Sequence, residues 1–111
     1  AYIEQEVAGI LEGPSKEMRH ACEAEASLIM HLRPDLVRMD KLRDDGLHVD
    51  PPIRGLVHFF DELTEEGSLG YATRATAEKG RRIFEAAVSA VAKEMEALSD
   101  GFVLVGNAET L

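Results

Sequence analysis

The element that most constrains the fold is an amphipathic helix near the carboxyl end of the sequence. Thr76 suits the N-cap of this helix, Glu78 suits the positive end of its dipole, and Ser99-Asp100-Gly101 is typical of its end. Apolar residues at steps of three or four define one face, a pattern that normally faces a core. The residues of this face are Phe84, Val88, Val91, Met95 and Leu98.

Two shorter helices are predicted upstream. In the first, Ile3, Val7, Ile10 and Leu11 recur at helical spacing before Gly13-Pro14 stops the pattern. The second runs roughly from Ala21 to Leu32 and ends at Arg33-Pro34. The chain enters the first helix at Ala1 without an initiator Met or a capping residue. We therefore expect that it was cut from a longer protein or matured by cleavage.

Strand signals are few and short. Residues 56–60 form an apolar run with aromatics that predicts a buried strand. Two other short segments are ambiguous. Residues 36–39 fit either a helical turn or a strand, and residues 102–105 fit a strand or a docking arm. Residues 40–52 read as an exposed loop, and Thr64 to Gly70 as a second loop with Gly67 and Gly70 at its turns. This mixture predicts an α/β fold. Two strands do not make a stable sheet, so partner strands must come from missing sequence or another chain.

Composition and charge narrow the function classes. The 111 residues are within the size of one small domain, and because partner strands are missing we expect 1–111 to be a single partial domain. A content of 45% hydrophobic and 30% charged residues is typical of a soluble protein. The formal net charge of −9 argues against a nucleic-acid partner and against anionic membranes. No apolar run approaches a membrane span and no signal segment opens the chain, so we expect a cytoplasmic location. The single cysteine, Cys22, allows no disulfide within the chain.

A glutamate interrupts the apolar pattern of the second helix. Ala21, Leu28 and Leu32 recur at helical spacing, and Glu25 falls in the middle of this stripe. A carboxylate on a buried face costs several kcal/mol unless it is paired, protonated or bound to a metal. Glu25 is therefore predicted to meet something cationic.

The segment around this glutamate resembles the creatininase (creatinine amidohydrolase) family. Residues 19–30 read R-H-A-C-E-A-E-A-S-L-I-M, close to the family's G-H-A-G-E-x-E-T-S-L-M-L, and residues 32–40 are similar to its L-R-P-D-L-V-R-M-D. A second match covers residues 67–70 and 75–80, where the family reads G-V-x-G and A-T-A-E-K-G. The resemblance spans roughly residues 18 to 98.

The resemblance implies a fold and an activity. It implies the carboxyl-terminal part of a three-layer α/β/α sandwich around a mostly parallel sheet. It also implies hydrolysis of a C–N amide bond, often cyclic, in a small molecule, with a divalent metal such as zinc, manganese or iron. Two metal-binding family motifs, E-Q-H-G-x-H-L-P-x-x-T-D and N-G-H-G-G-N, do not occur in this sequence. We therefore expect the chain to need an amino-terminal creatininase-like segment or chain for activity, and to be a homo- or hetero-oligomer.

Three residues carry the implied chemistry. His20 matches the family histidine, which implies proton transfer at the scissile amide. The alternative is an ordinary histidine near a helix start that caps the helix or is exposed to solvent. Glu25 matches the second glutamate and implies a metal ligand or its support, the alternative being a buried pair with an arginine. Glu23 matches the first glutamate and implies a second-shell or substrate-side position, the alternative being a first-turn glutamate favoured by the helix dipole.

Departures from the family pattern keep other functions open. Arg19, Cys22 and Ala26 replace Gly, Gly and Thr of the family motif. The Arg19 and Ala26 changes motivate a rival hypothesis, a non-catalytic interaction or scaffold subunit that has lost the metal site. A third hypothesis is a free-standing helical module that dimerises through its last helix.

Overall fold

Helices and one small antiparallel ladder form the described part of this computed structural model, residues 2–47 and 59–101. In chain order these elements are α1 (Tyr2–Ile10), α2 (Glu23–Leu32), β1 (Asp44–Asp45), α3 (Phe60–Leu63), β2 (Gly70–Tyr71) and α4 (Ala77–Ser99). Short 3-10 turns cover Pro34–Leu36, Met39–Lys41 and Ala72–Arg74. Within the described ranges, no helix is long and apolar enough to cross a membrane.

The start and end of α4 confirm the sequence prediction. The Thr76 hydroxyl accepts a hydrogen bond from the Lys79 N–H at 3.2 Å, which satisfies one of the free donors of the first turn. At the other end Asp100 is the C-cap, and Gly101 has a φ of 93° that suits glycine.

The helix α2 begins two residues later than predicted. Cys22 is its N-cap, is 3% exposed and is a small packing residue, while Ala21 lies outside the helix with a φ of 46°. The buried side chains of α2 are Glu23, Ala24, Ser27 and Met30. The predicted stripe through Ala21, Leu28 and Leu32 is therefore not the buried face: Ala21 is exposed and Leu32 is 45% exposed.

The observed sheet is smaller than the predicted strands. Strand β1 pairs with β2 in antiparallel register, Asp44 with Tyr71 and Asp45 with Gly70, and the described residues contain no parallel pair. Of the predicted strand 56–60, residues 56–58 lie outside the described residues, and Phe60 instead begins α3. Residues 102–105 also lie outside the described part. The described chain thus combines helices with a two-stranded sheet.

The segment 36–39 is not a strand, and only its two end residues belong to helical turns. Leu36 closes one 3-10 turn and Met39 opens the next, with Val37 extended between them. This backbone leads from the end of α2 towards β1.

The hydrophobic core lies where α1, α2 and α4 meet. Its buried members are Val7, Ile10 and Leu11 of the first helix and its end, Cys22 and Ala24, and Ile83 of α4. The closest approach is at Gly80, where a Cβ atom would overlap the Ser27 carbonyl and press on the His31 Cβ. Glycine is required at this crossing because any side chain would separate the two helices.

The apolar face of α4 is exposed in the described structure, contrary to the pattern's usual meaning. The buried residues of α4 are Lys79, Gly80 and Ile83, whereas exposure on the apolar face runs from 38% at Phe84 to 64% at Met95. The reason is the close crossing with α2, which turns the Gly80 and Ile83 side of the helix inward. A groove of about 530 Å³ between α1 and α4 continues this apolar surface and includes Ile3 and Val91.

Candidate functional site

Backbone pairing brings the two family-like segments together at His20. His20 and Leu69 form an isolated antiparallel bridge, in which the Leu69 N–H donates to the His20 carbonyl at 2.7 Å and the His20 N–H donates to the Leu69 carbonyl at 3.4 Å. Next to the bridge, Gly70 has a φ of 135°, and a Cβ there would lie 2.8 Å from the Cys22 Cβ. Only glycine lets the second segment pass this close to the first.

The His20 side chain is exposed and borders an aromatic ring. Its imidazole centroid lies 5.1 Å from that of Phe60, with an interplanar angle of 79°. Among the described residues, the imidazole makes no hydrogen bond or ion pair. Both ring nitrogens are therefore open to a hydrogen bond with an incoming molecule.

Glu25 lies close to His20 along the backbone. It is partly buried in the first turn of α2, and its carboxylate accepts a hydrogen bond from the Ala21 N–H, directly after His20. This contact ties the backbone just before the helix to the first turn of α2. It does not pair Glu25 with an arginine, the alternative considered from the sequence. The metal-ligand role stays a prediction.

Glu23 is the deeply buried carboxylate of this region. It is 2% exposed, accepts the N–H groups of Glu12 and Gly13 at 2.8 Å each, and pairs with the Lys79 Nζ at 3.1 Å. Burial by itself raises the pKa of Glu23, but the two N–H donors and Lys79 together hold that pKa below its ordinary value. These contacts join the end of α1 to α2 and α4. The predicted second-shell or substrate-side role stays untested.

Lys79 completes this buried polar network. Its side chain is 7% exposed, and its ammonium also donates to the Arg74 carbonyl at 2.6 Å and lies 3.4 Å from the Glu12 carboxylate. A second link crosses between the helices, since the Thr76 N–H donates to the Ser27 hydroxyl at 3.1 Å. The network fixes the start of α4 against the start of α2. It therefore also fixes the backbone where the His20 segment enters α2.

Asp45 organises the loop that leads to Leu69, and the sequence prediction missed it. Its buried carboxylate accepts N–H groups from Glu65 at 3.0 Å and from Glu66 and Gly46 at 2.7 Å each. These donors, the Glu65 N–H first among them, hold the pKa of Asp45 far below its usual range. The signal was present in Asp45-Gly46, a pair typical of a turn with side-chain bonding to the backbone.

The described residues do not form a metal site by themselves. No group of three or more His, Cys, Asp or Glu side chains that could hold a metal ion occurs within residues 2–47 and 59–101. An imidazole and a carboxylate are donors of the right chemistry for zinc, manganese or iron, but His20 and Glu25 alone are too few. The residues present fit such a metal only if further donors are supplied.

The other histidines do not add to this site in the described structure. His31 is partly buried, with its ring 5.9 Å from that of Phe84 at the helix crossing. His48 and His58 lie outside the described residues.

Comparison with known proteins gives one match. The family model named Creatininase, described as creatinine amidohydrolase, matches residues 2–95, most of the chain. The search of curated proteins and the search of solved structures find no match.

Proposed function

Because the chain belongs to the creatininase family, we propose that it is part of a metal-dependent amidohydrolase that cleaves a C–N amide bond of a small molecule. Members of this family are generally hydrolases. The observation that supports the proposal most directly is the His20–Leu69 bridge. It joins the two segments that resemble the family, and it presents an exposed imidazole where they meet.

In the proposed reaction, His20 handles the proton of the leaving nitrogen. Water adds to the amide carbonyl and gives up a proton that the imidazole takes, the C–N bond breaks, and the imidazole then delivers that proton to the departing nitrogen as general acid. A histidine suits this step because it gains and loses a proton near neutral pH. A divalent metal, when bound, supplies an activated water and polarises the carbonyl.

Glu25 is proposed to hold or support that metal. Its carboxylate already bonds to the backbone beside His20. A metal ligand next to the general acid would hold metal and proton donor on the same side of one substrate. Glutamate oxygen in a mixed set with histidine is suited to zinc, manganese and iron, and the donor set does not distinguish among them.

An amino-terminal creatininase-like segment or chain is proposed to complete the site and the fold. Metal donors beyond His20 and Glu25 are needed, and the family's two other metal-binding motifs would provide them. The exposed face of α4, from Phe84 to Leu98, is proposed to cover the sheet of that partner. The assembled fold would be the family's three-layer α/β/α sandwich with a mostly parallel sheet, and the protein would be an oligomer.

The test measures which chains and metals the native assembly contains and whether it hydrolyses small amides. We expect intact mass to reveal a companion segment with E-x-H and N-G-H motifs, and elemental analysis to find a divalent metal in simple proportion to the chain. Hydrolysis of creatinine and of a panel of small cyclic amides should be abolished by a chelator and by His20→Gln. The matched control is His31→Gln, which removes a histidine at the helix crossing and should leave metal content and rate nearly unchanged.

A non-catalytic scaffold subunit is the second candidate. Arg19 and Ala26 depart from the family motif beside His20 and Glu25, and the described residues include no metal-binding group. An assembly that contains no metal, and whose measured functions are the same in His20→Ala, would favour the scaffold over the enzyme.

A further inference from the structure

The backbone of His20 is fixed, but its side chain depends on a single neighbour. The bridge to Leu69 immobilises the main chain through two hydrogen bonds. Within the described part of the chain, the one interaction of the imidazole is the edge contact with Phe60. Edge-to-face geometry is a preferred arrangement for aromatic rings, so this contact favours particular rotamers of His20.

Phe60 is itself held in place by hydrogen bonds at the start and end of a short helix. It is the first residue of α3, where the Glu62 carboxylate accepts the Phe59 N–H at 3.2 Å and the Thr64 N–H donates to the Phe60 carbonyl at 3.1 Å. The loop that follows is anchored by Asp45. A four-residue helix thus holds an aromatic ring against an imidazole forty positions earlier in the sequence.

Partial exposure of Phe60 argues against a purely structural role. The side chain is 46% exposed, so the core does not require its full bulk. An aromatic ring left this open yet packed edgewise on an exposed imidazole is suited to orienting that imidazole for an incoming molecule.

We propose that Phe60 is a positioning residue that orients the His20 imidazole towards the leaving nitrogen of the amide. Its ring restricts the imidazole, so the proton is delivered from a preferred orientation. This inference deepens the proposed function and rests on it. It assigns a role to a residue that lies between the two family motifs, after residues 32–40 and before residues 67–70.

The first test is spectroscopic and needs no substrate. The native assembly is labelled at histidine carbons, and the His20 signal is assigned by its loss in His20→Gln. We expect Phe60→Leu to move this signal towards that of an exposed histidine, because the ring current of Phe60 is removed, and Phe60→Tyr to retain it. The matched control is Phe59→Leu, at a neighbour that is 75% exposed and makes no ring contact with the residues that the structure describes. An unchanged His20 signal in Phe60→Leu, or an equal shift in Phe59→Leu, would overturn the proposal.

The second test is kinetic, with creatinine and the cyclic-amide panel as probes. Phe60→Leu should lower kcat by about twofold to tenfold with little change in KM, and Phe60→Tyr should restore kcat. Equal loss in Phe59→Leu, or a rise in KM alone, would contradict positioning. If the wild-type assembly hydrolyses none of the probes, the proposed function fails, whereas the spectroscopic arm separately decides whether Phe60 orients His20.

Discussion

Replacing Glu23 with Gln will lower the free energy of unfolding by about 3 kcal/mol, because it leaves a buried lysine without its closest carboxylate. Gln has nearly the same size but no charge and one acceptor oxygen instead of two. The N–H groups of Glu12 and Gly13 both bond to this carboxylate, so one of them loses its partner. The Lys79 ammonium loses a contact at 3.1 Å.

The magnitude follows from what Lys79 retains. Removing one member of a buried ion pair typically costs about 3–5 kcal/mol. Lys79 still donates to the Arg74 carbonyl at 2.6 Å and lies 3.4 Å from the Glu12 carboxylate, so the low end of that range applies. Urea-induced unfolding of the purified protein at neutral pH, followed by circular dichroism, measures the change.

Two further variants separate the ion pair from other effects. Glu25→Gln, two positions along the same helix turn, weakens a single hydrogen bond to the backbone at a partly buried carboxylate and should cost about 1 kcal/mol. Combining Glu23→Gln with Lys79→Met should recover part of the loss, since no unpaired charge then stays buried. Equal costs for the two glutamates, or a double variant less stable than Glu23→Gln alone, would refute this account of the network.

Acid adds an independent check on Glu23. Its pKa in the folded protein is below the ordinary value of 4.5, so its contribution to stability is complete above that value and is lost as the pH falls through the lower, folded-state pKa. In Glu23→Gln this part of the decline should disappear. A variant with normal stability but no catalysis would instead indicate the substrate-side role.

The remaining predictions concern the helix crossing, the Asp45 loop and the exposed face. Gly80→Ala should destabilise the protein by roughly 1–3 kcal/mol in the same urea assay, because the added Cβ overlaps the Ser27 backbone. As the control, Gly9→Ala should stabilise the protein by roughly 0.5–1 kcal/mol, since a Cβ there meets nothing within 4 Å. Equal changes in the two variants would contradict the close crossing. Asp45→Asn should be less stable than wild type at pH 7, as measured by thermal melting. The difference in stability between the two proteins should shrink as the pH falls below 3.8, because the Asp45 carboxylate is then progressively protonated. A difference that stays constant with pH would refute the role of the Asp45 charge. Val91→Glu should dissociate the assembly in sedimentation without lowering the stability of the chain, and an intact assembly would exclude this face as the interface.

Local signals in the sequence predicted the helices but not which faces they bury. The Thr76 cap and the Gly101 end of α4 depend on neighbouring residues, so the sequence predicts them well. Burial depends on tertiary contacts. Lys79 is buried because Glu23 pairs with it, and Phe84 is exposed although it begins the apolar stripe.

The same difference applies to the candidate site. His20 and Glu25 were found because they lie in one short segment with a recognisable pattern. The pairing of His20 with Leu69 and Phe60 joins residues about forty or more positions apart, and periodicity contains no information on such contacts. Two residues rotate a helix by about 200°, so Glu23 and Glu25 lie on different faces of α2. Only tertiary contacts decide which face turns inward, and in the structure it is the face of Glu23.

The exposed apolar face of α4, from Phe84 to Leu98, also affects how long a newly made chain persists in the cell. Five large apolar side chains at 38% to 64% exposure form the kind of surface that chaperones and proteases recognise in incomplete proteins. A copy made in excess of the proposed partner would keep this face exposed, and would be removed or would aggregate. Supply of the partner would then set how much of this chain a cell retains.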